Sequence, residues 1–108
     1  MANGRSAGPD APAKLDVVPT RIPDVVAISP RVFGDARGYF FELWHRNKYA
    51  ASGLPETFLQ DNISKSSRGT IRGLHFQHPF DQAKLVQVLD GEVFDVAVDV
   101  RVGSPTFG

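Results

Sequence analysis

Residues 64–100, SKSSRGTIRGLHFQHPFDQAKLVQVLDGEVFDVAVDV, constrain the fold more tightly than any other part of the chain. Three β-prone runs are packed into this segment with little between them. Strands ordinarily give their polar positions to solvent. Here those positions carry Arg72, His75, Lys84 and Asp95, interleaved with Leu74, Phe76, Leu85, Val86 and Val88. A titratable base and fixed charges set among such residues suit a polar pocket inside a small β-barrel. Residues 92–101 alternate, with Phe94, Val96, Val98 and Val100 on one face and Val93, Asp95, Ala97 and Asp99 on the other. Asp90-Gly91 between two such runs reads as a type I′ hairpin turn. With Leu89 opposite Glu92, Lys84 and Asp95 become diagonal neighbours on one face. Taken alone, that pair is a surface ion pair worth little.

The rest of the chain reads as further short strands. Residues 1–15 are rich in Ala, Gly and Pro, have no period, and predict a disordered tail. Residues 16–30 hold two β-branched runs separated by Pro23-Asp24, with a short strand predicted at 25–28 and an edge character imposed by proline. Gly34-Asp35 and Arg37-Gly38 are turn signals on either side of one arginine. Residues 39–44 (YFFELW) predict an aromatic strand with Glu42 as its one charge. Residues 45–52 predict a helical turn ended by Gly53 and barred from continuing by Pro55. His45 falls on the surface of that helix and His78 in a loop at 78–82. Strands are predicted at 57–63, 70–77, 83–89 and 92–101. The sum is a mainly β chain with one short helix, a sandwich or barrel, forming one domain from residue 16 to residue 108.

Charge and composition remove several function classes. Twelve basic and twelve acidic side chains cancel, so there is no broad basic field to hold nucleic acid or an anionic membrane. A basic residue that matters must act locally on a small anion. With no cysteine, disulfide and thiolate chemistry are excluded. No apolar run approaches the ~20 residues that span a bilayer. Arg5 has no apolar stretch behind it, which argues against a secretory signal. The expectation is a cytoplasmic protein.

Six motifs then occur in a telling order: Pro23-Asp24-Val25, residues 33–42 (FGDARGYFFE), 60–67 (QDNISKSS), 72–77 (RGLHFQ), 84–86 (KLV) and 91–99 (GEVFDVAVD). In order and spacing, from about Ile22 to Gly108, the chain resembles the dTDP-4-dehydrorhamnose 3,5-epimerases, cupin-like enzymes of dTDP-L-rhamnose synthesis. The resemblance implies a jelly-roll β-barrel, a homodimer with a shared site, no cofactor, and inversion at C3 and C5 of a 4-keto sugar carried on dTDP. It implies that His75 is the base and Lys84 the cation facing the enolate oxygen. It implies that Arg37 and Arg72 hold the diphosphate, and that Glu42, Gln60, Asp61 and Asn62 belong to the nucleotide site. Asp95 is a supporting group and Phe33 a pocket wall. Family members are longer, so the resemblance is to an N-terminal portion, with the barrel incomplete at the C-terminus. The later strands would carry an acid tyrosine, a carboxylate that orients the histidine, and more phosphate contacts. Open edges and weak or absent turnover are expected of this portion alone.

Without the motifs, each of these residues reads more plainly. A strand histidine is commonly structural, Arg72 a solvated charge, Gln60-Asp61-Asn62 strand-end chemistry, and Glu42 solvent-facing. Phe33, Phe40 and Phe41 read as core. Strict alternation also puts Arg72 and His75 on opposite faces. A bulge at Gly73, or approach of Arg72 from the strand's end, would reconcile them. His75 and His78 do not make a metal-ligand set with Lys84 alongside. The competing functions are a related sugar-nucleotide 3-epimerase, 5-epimerase or ketoisomerase, and a non-catalytic cupin-like binding module.

Overall fold

Two antiparallel hairpins and a short helix make up the regular structure in a computed structural model that describes residues 14–108. The chain divides into two units, one ending at Leu59 and the other running Gln60–Gly108. The expected tail therefore lies almost wholly outside the described residues. Leu15 is an exception: its amide donates to Ser52 Oγ at 2.8 Å.

In the first unit, β1 (Asp16–Pro19) pairs with β2 (Val26–Ser29), with Val17 opposite Ile28. Both side chains of that pair are half-buried. Pro19 ends β1, where its missing donor does least harm. The connection is closed by Thr20, whose hydroxyl meets the carbonyls of Ile22 and Val25 at 2.9 and 2.6 Å. The expected strand at 25–28 thus forms, displaced by one residue.

β3 (Val32–Asp35) pairs with β4 (Gly38–Phe41), placing Phe33 opposite Phe40 and Gly34 opposite Tyr39. The turn is Ala36-Arg37 alone, and Gly38 takes φ 139° to close it. Gly34, read from sequence as part of a turn, lies inside a strand, and the aromatic strand stops at Phe41, short of Glu42. Phe33 and Phe40 are exposed and Phe41 half-buried, so Phe33 and Phe40 are not core. The helix α1 (Arg46–Ala51) follows, ends at Ser52, and is left by Gly53 at φ 74°. Tyr49, 4% exposed, is the buried residue of this unit. The Trp44 ring packs on it and meets Phe58 edge-on.

In the second unit no strand ladder forms among the described residues. The strands expected at 57–63, 70–77, 83–89 and 92–101 have no partner strand among the described residues. The Asp90-Gly91 hairpin is corrected as well. The chain bends there with Gly91 at φ 93°, but the flanking runs do not pair. Period-two alternation sets which side chains share a face, but a strand also needs a neighbour to take its amides and carbonyls. No barrel closes among the described residues.

Candidate functional site

Arg37 sits in the two-residue turn of the β3–β4 hairpin, so its position follows directly from Gly38 closing that turn. Its guanidinium forks onto Asp35, with Nη2 at 2.6 Å from Oδ2 and Nε at 3.2 Å, while its amide donates to Oδ1 at 2.8 Å. That pairing lowers the Asp35 carboxyl and raises the Arg37 guanidinium from their ordinary values. Phe33, Asp35, Arg37, Gly38 and Tyr39 line an open groove of about 240 Å³, and Arg31 covers the outer Phe33 ring at 4.8 Å. One aromatic wall, a cation and its counter-ion are thus presented together at a hairpin end. Glu42 follows β4, and its carboxylate is gripped by Lys48 Nζ at 2.9 Å. His45, expected on the helix surface, is instead the N-cap of α1, its Nδ1 accepting from the Lys48 amide at 3.3 Å.

In the second unit Gln60 Nε2 donates to Asn62 Oδ1 at 3.3 Å, joining two of the three polar residues of that triplet. Arg72 turns back to the 65–70 turn, where Nε donates to Ser66 Oγ at 2.8 Å and Nη2 reaches the Lys65 carbonyl at 3.4 Å. Gly73 lies between Arg72 and His75 at φ 100°, and the imidazole folds over it. A β-carbon there would stand 3.4 Å from His75 Nδ1 and 3.3 Å from its amide nitrogen. Glycine is therefore required by the backbone conformation, and a β-carbon there would come into contact with the His75 ring. Among the described residues, Lys84, Asp61, His75 and Asp95 hydrogen bond to no other side chain. The expected Lys84–Asp95 pairing does not form, because the ladder that would set them diagonally is not made. His78 lies 3.7 Å from Asp81 in the expected loop. Among the described residues no group of three His, Asp or Glu side chains gathers as for a metal ion.

Sequence reasoning missed the most heavily bonded carboxylate. Asp99, with a side chain 1% exposed, takes bonds from the Arg101 amide at 3.0 Å, Arg101 Nε and Nη2 at 2.9 Å, Ser104 Oγ at 2.5 Å and Thr106 Oγ1 at 2.6 Å. Its own carbonyl accepts from the Gly108 amide at 2.7 Å. The Arg101 guanidinium, then the hydroxyls of Ser104 and Thr106, hold the Asp99 carboxyl far below the usual carboxylate range. The signal was available: an Asp two residues before an Arg, followed by Ser and Thr, is side-chain-to-backbone turn chemistry.

Comparison with known proteins places these residues in a family pattern. A family model described as dTDP-4-dehydrorhamnose 3,5-epimerase matches residues 19–108. The dTDP-4-dehydrorhamnose 3,5-epimerase of Pseudomonas aeruginosa is 58% identical over 88 residues, covering 81% of this chain and 49% of the relative. A Streptomyces niveus protein named dTDP-4-dehydrorhamnose 3-epimerase is 47% identical over 92 residues, covering 83% of the chain and 44% of the relative. The crystal structure of dTDP-4-dehydrorhamnose 3,5-epimerase from Elizabethkingia anophelis NUHP1 superposes with a TM-score of 0.76 at 48% identity, covering 88% of this chain and 53% of that one. The chain spans about half the length of these relatives. The likeness to that solved epimerase supports a mainly β, cupin-like fold for the chain.

Proposed function

The chain belongs to the dTDP-4-dehydrorhamnose 3,5-epimerase family, and from that membership we propose that the protein epimerises C3 and C5 of dTDP-4-dehydro-6-deoxy-D-glucose. The product is dTDP-4-dehydro-L-rhamnose, on the route to dTDP-L-rhamnose. The observation that carries the reading is the match over residues 19–108, which includes every residue assigned a role.

The chemistry needs little more than a base and a charge. A ketone at C4 acidifies the protons on both flanking carbons, C3 and C5. A base removes one such proton, the electron pair moves into the enolate, and the oxygen at C4 becomes negative. Reprotonation from the other face, by a proton donor there or by water, moves the electron pair from the enolate into a new C–H bond and completes an inversion. The His75 imidazole is the base, a role its neutral form suits near pH 7. The Lys84 ammonium faces the enolate oxygen, where fixed positive charge is most effective. Arg37 and Arg72 hold the diphosphate, Arg37 exchanging its fork on Asp35 for phosphate oxygens. Glu42, Gln60, Asp61 and Asn62 take the nucleotide, Phe33 walls it, and Asp95 is a supporting group. A homodimer with a site shared between subunits, and a cytoplasmic location, belong to the same reading. Among the described residues no helix is long and apolar enough to cross a membrane.

A second reading, inversion at C3 alone, is favoured by the Streptomyces niveus relative, whose name specifies a 3-epimerase. Incubation of the dTDP-4-keto sugar with the protein in D2O, followed by NMR, separates the two. Deuterium entering at both C3 and C5 above the buffer rate is the expected result. Entry at C3 alone would replace the first reading with the second. Nucleotide binding without exchange at either carbon would leave a binding module in place of an enzyme.

A further inference from the structure

The helix after β4 carries a titratable device that the epimerase reading leaves unused. A helix begins with amides that have no partner inside it, and Ser, Thr, Asp or Asn usually supplies one. In α1 that place is taken by His45. Its backbone is extended (φ −148°, ψ 115°), its carbonyl accepts the first helical bond from the Tyr49 amide at 3.0 Å, and its Nδ1 accepts from the Lys48 amide at 3.3 Å. The same Lys48 holds the Glu42 carboxylate at 2.9 Å through its ammonium. An imidazole nitrogen, a backbone amide, an ammonium and a carboxylate are therefore joined in series through one residue.

A hydroxyl or amide cap keeps its acceptor at every pH, but an imidazole does not. Nδ1 accepts only while it is unprotonated, with the ring proton on Nε2. On protonation both ring nitrogens become donors, and the Lys48 amide loses its partner. The new cation also stands at the positive end of the helix. The charged groups on and against this turn do not offset it. The first turn has no acidic residue, Arg46 is paired with Glu56 at 3.6 Å, and Lys48 is already engaged by Glu42. The sign is set by the bond: the cap is present above the titration of the imidazole and is lost as pH falls through it.

We propose that His45, Lys48 and Glu42 form a pH-sensitive hold, in which Lys48 is a positioning residue that keeps Glu42 in place while His45 caps α1. Its consequence for binding rests on the reading of Glu42 as a nucleotide contact. NMR of the chain between pH 8 and 5.5 tests it, following the Lys48 amide, the Glu42 side-chain carboxyl and the His45 ring in wild type, in His45→Asn and in Lys48→Met. In wild type the amide and the carboxyl signals move in one step with the ring. In His45→Asn, which keeps an acceptor that does not titrate, the step is absent and the Lys48 amide stays protected. In Lys48→Met the amide still follows the ring but the carboxyl does not. Lys48 and Glu42 signals indifferent to the His45 titration, or a step that survives in His45→Asn, would overturn the proposal. Titration with dTDP supplies the second arm. Affinity falls about threefold from pH 8 to 5.5 in wild type beyond any fall in His45→Asn, the size of a partly exposed ion pair. An NMR step with no dTDP binding at either pH overturns the nucleotide role of Glu42 and leaves the hold standing. dTDP binding with no NMR step overturns the hold and leaves the nucleotide role standing.

Discussion

Asp99 illustrates how one carboxylate can order a segment that has no ladder to order it. Five donor atoms converge on it from Arg101, Ser104 and Thr106, and its side chain is almost fully enclosed. Its folded-state carboxyl lies far below the unfolded value, so the stabilisation it provides is complete above about pH 4 and is lost only in stronger acid, as pH falls through the depressed range. NMR of the Arg101 Nε proton and the Gly108 amide is expected to show both protected from pH 7 through about pH 4, the ordinary carboxylate value, and released only in stronger acid. Asp99→Asn is expected to release them at pH 7. At Gly73 the constraint is steric. Gly73→Ala puts a β-carbon at φ 100° and against the His75 ring, and is expected to cost about 1–2 kcal/mol from the backbone conformation alone. It should also displace the imidazole, which its ring chemical shifts would report. Unchanged shifts and an unchanged urea midpoint would contradict the account of that glycine.

Among the elements, α1 has the most complete set of reasons. Its cap, its C-terminal glycine and its buried Tyr49 all agree, and Ser52 ties it to the start of β1 by accepting from the Leu15 amide and donating to the Lys48 carbonyl, each at 2.8 Å. Ser52→Ala removes both bonds and is expected to cost about 0.5–1.5 kcal/mol, with faster amide exchange at Leu15 as the local signature. Exchange at Leu15 that matches wild type would argue against the tie. The helix and the β1–β2 strands were legible in sequence because local chemistry decides them: a glycine stop, a proline boundary, a β-branched run. The β3 strand was not, because Gly34 resembles a turn residue as readily as a strand residue that faces Tyr39 across a ladder. The runs at 70–77, 83–89 and 92–101 were read as strands from alternation, which reports side-chain faces and is silent about partners. The same limit explains the site. The motifs singled out His75, Lys84, Arg37 and Arg72 as candidates, but no periodicity could reveal that Arg37 rests on Asp35, that Arg72 rests on Ser66, or that Lys84 and Asp95 stay apart.

For the whole molecule, the dominant physical fact is exposed apolar surface. Ile71, Phe94 and Val102 are 91%, 93% and 94% exposed, and Leu59 is 93% exposed. Surface of this kind calls for a cover, in folding or in association. The chain is therefore expected to sediment as species heavier than a monomer at micromolar concentration and to bind a hydrophobic dye. Phe94→Ser combined with Ile71→Ser should reduce both signals. A monomer that binds no dye would show that these residues are covered in solution. The central functional proposal is that His75 takes a proton from a carbon beside a ketone. The most direct measurement is the rate of deuterium entry at C5 of the dTDP-4-keto sugar, compared between wild type and His75→Asn at one pH. The account predicts exchange above the buffer rate in wild type and a loss of about a hundredfold or more in the variant, down to that buffer rate where the wild-type margin is smaller, the size expected when a general base is removed. Equal rates above buffer in the two proteins would contradict it.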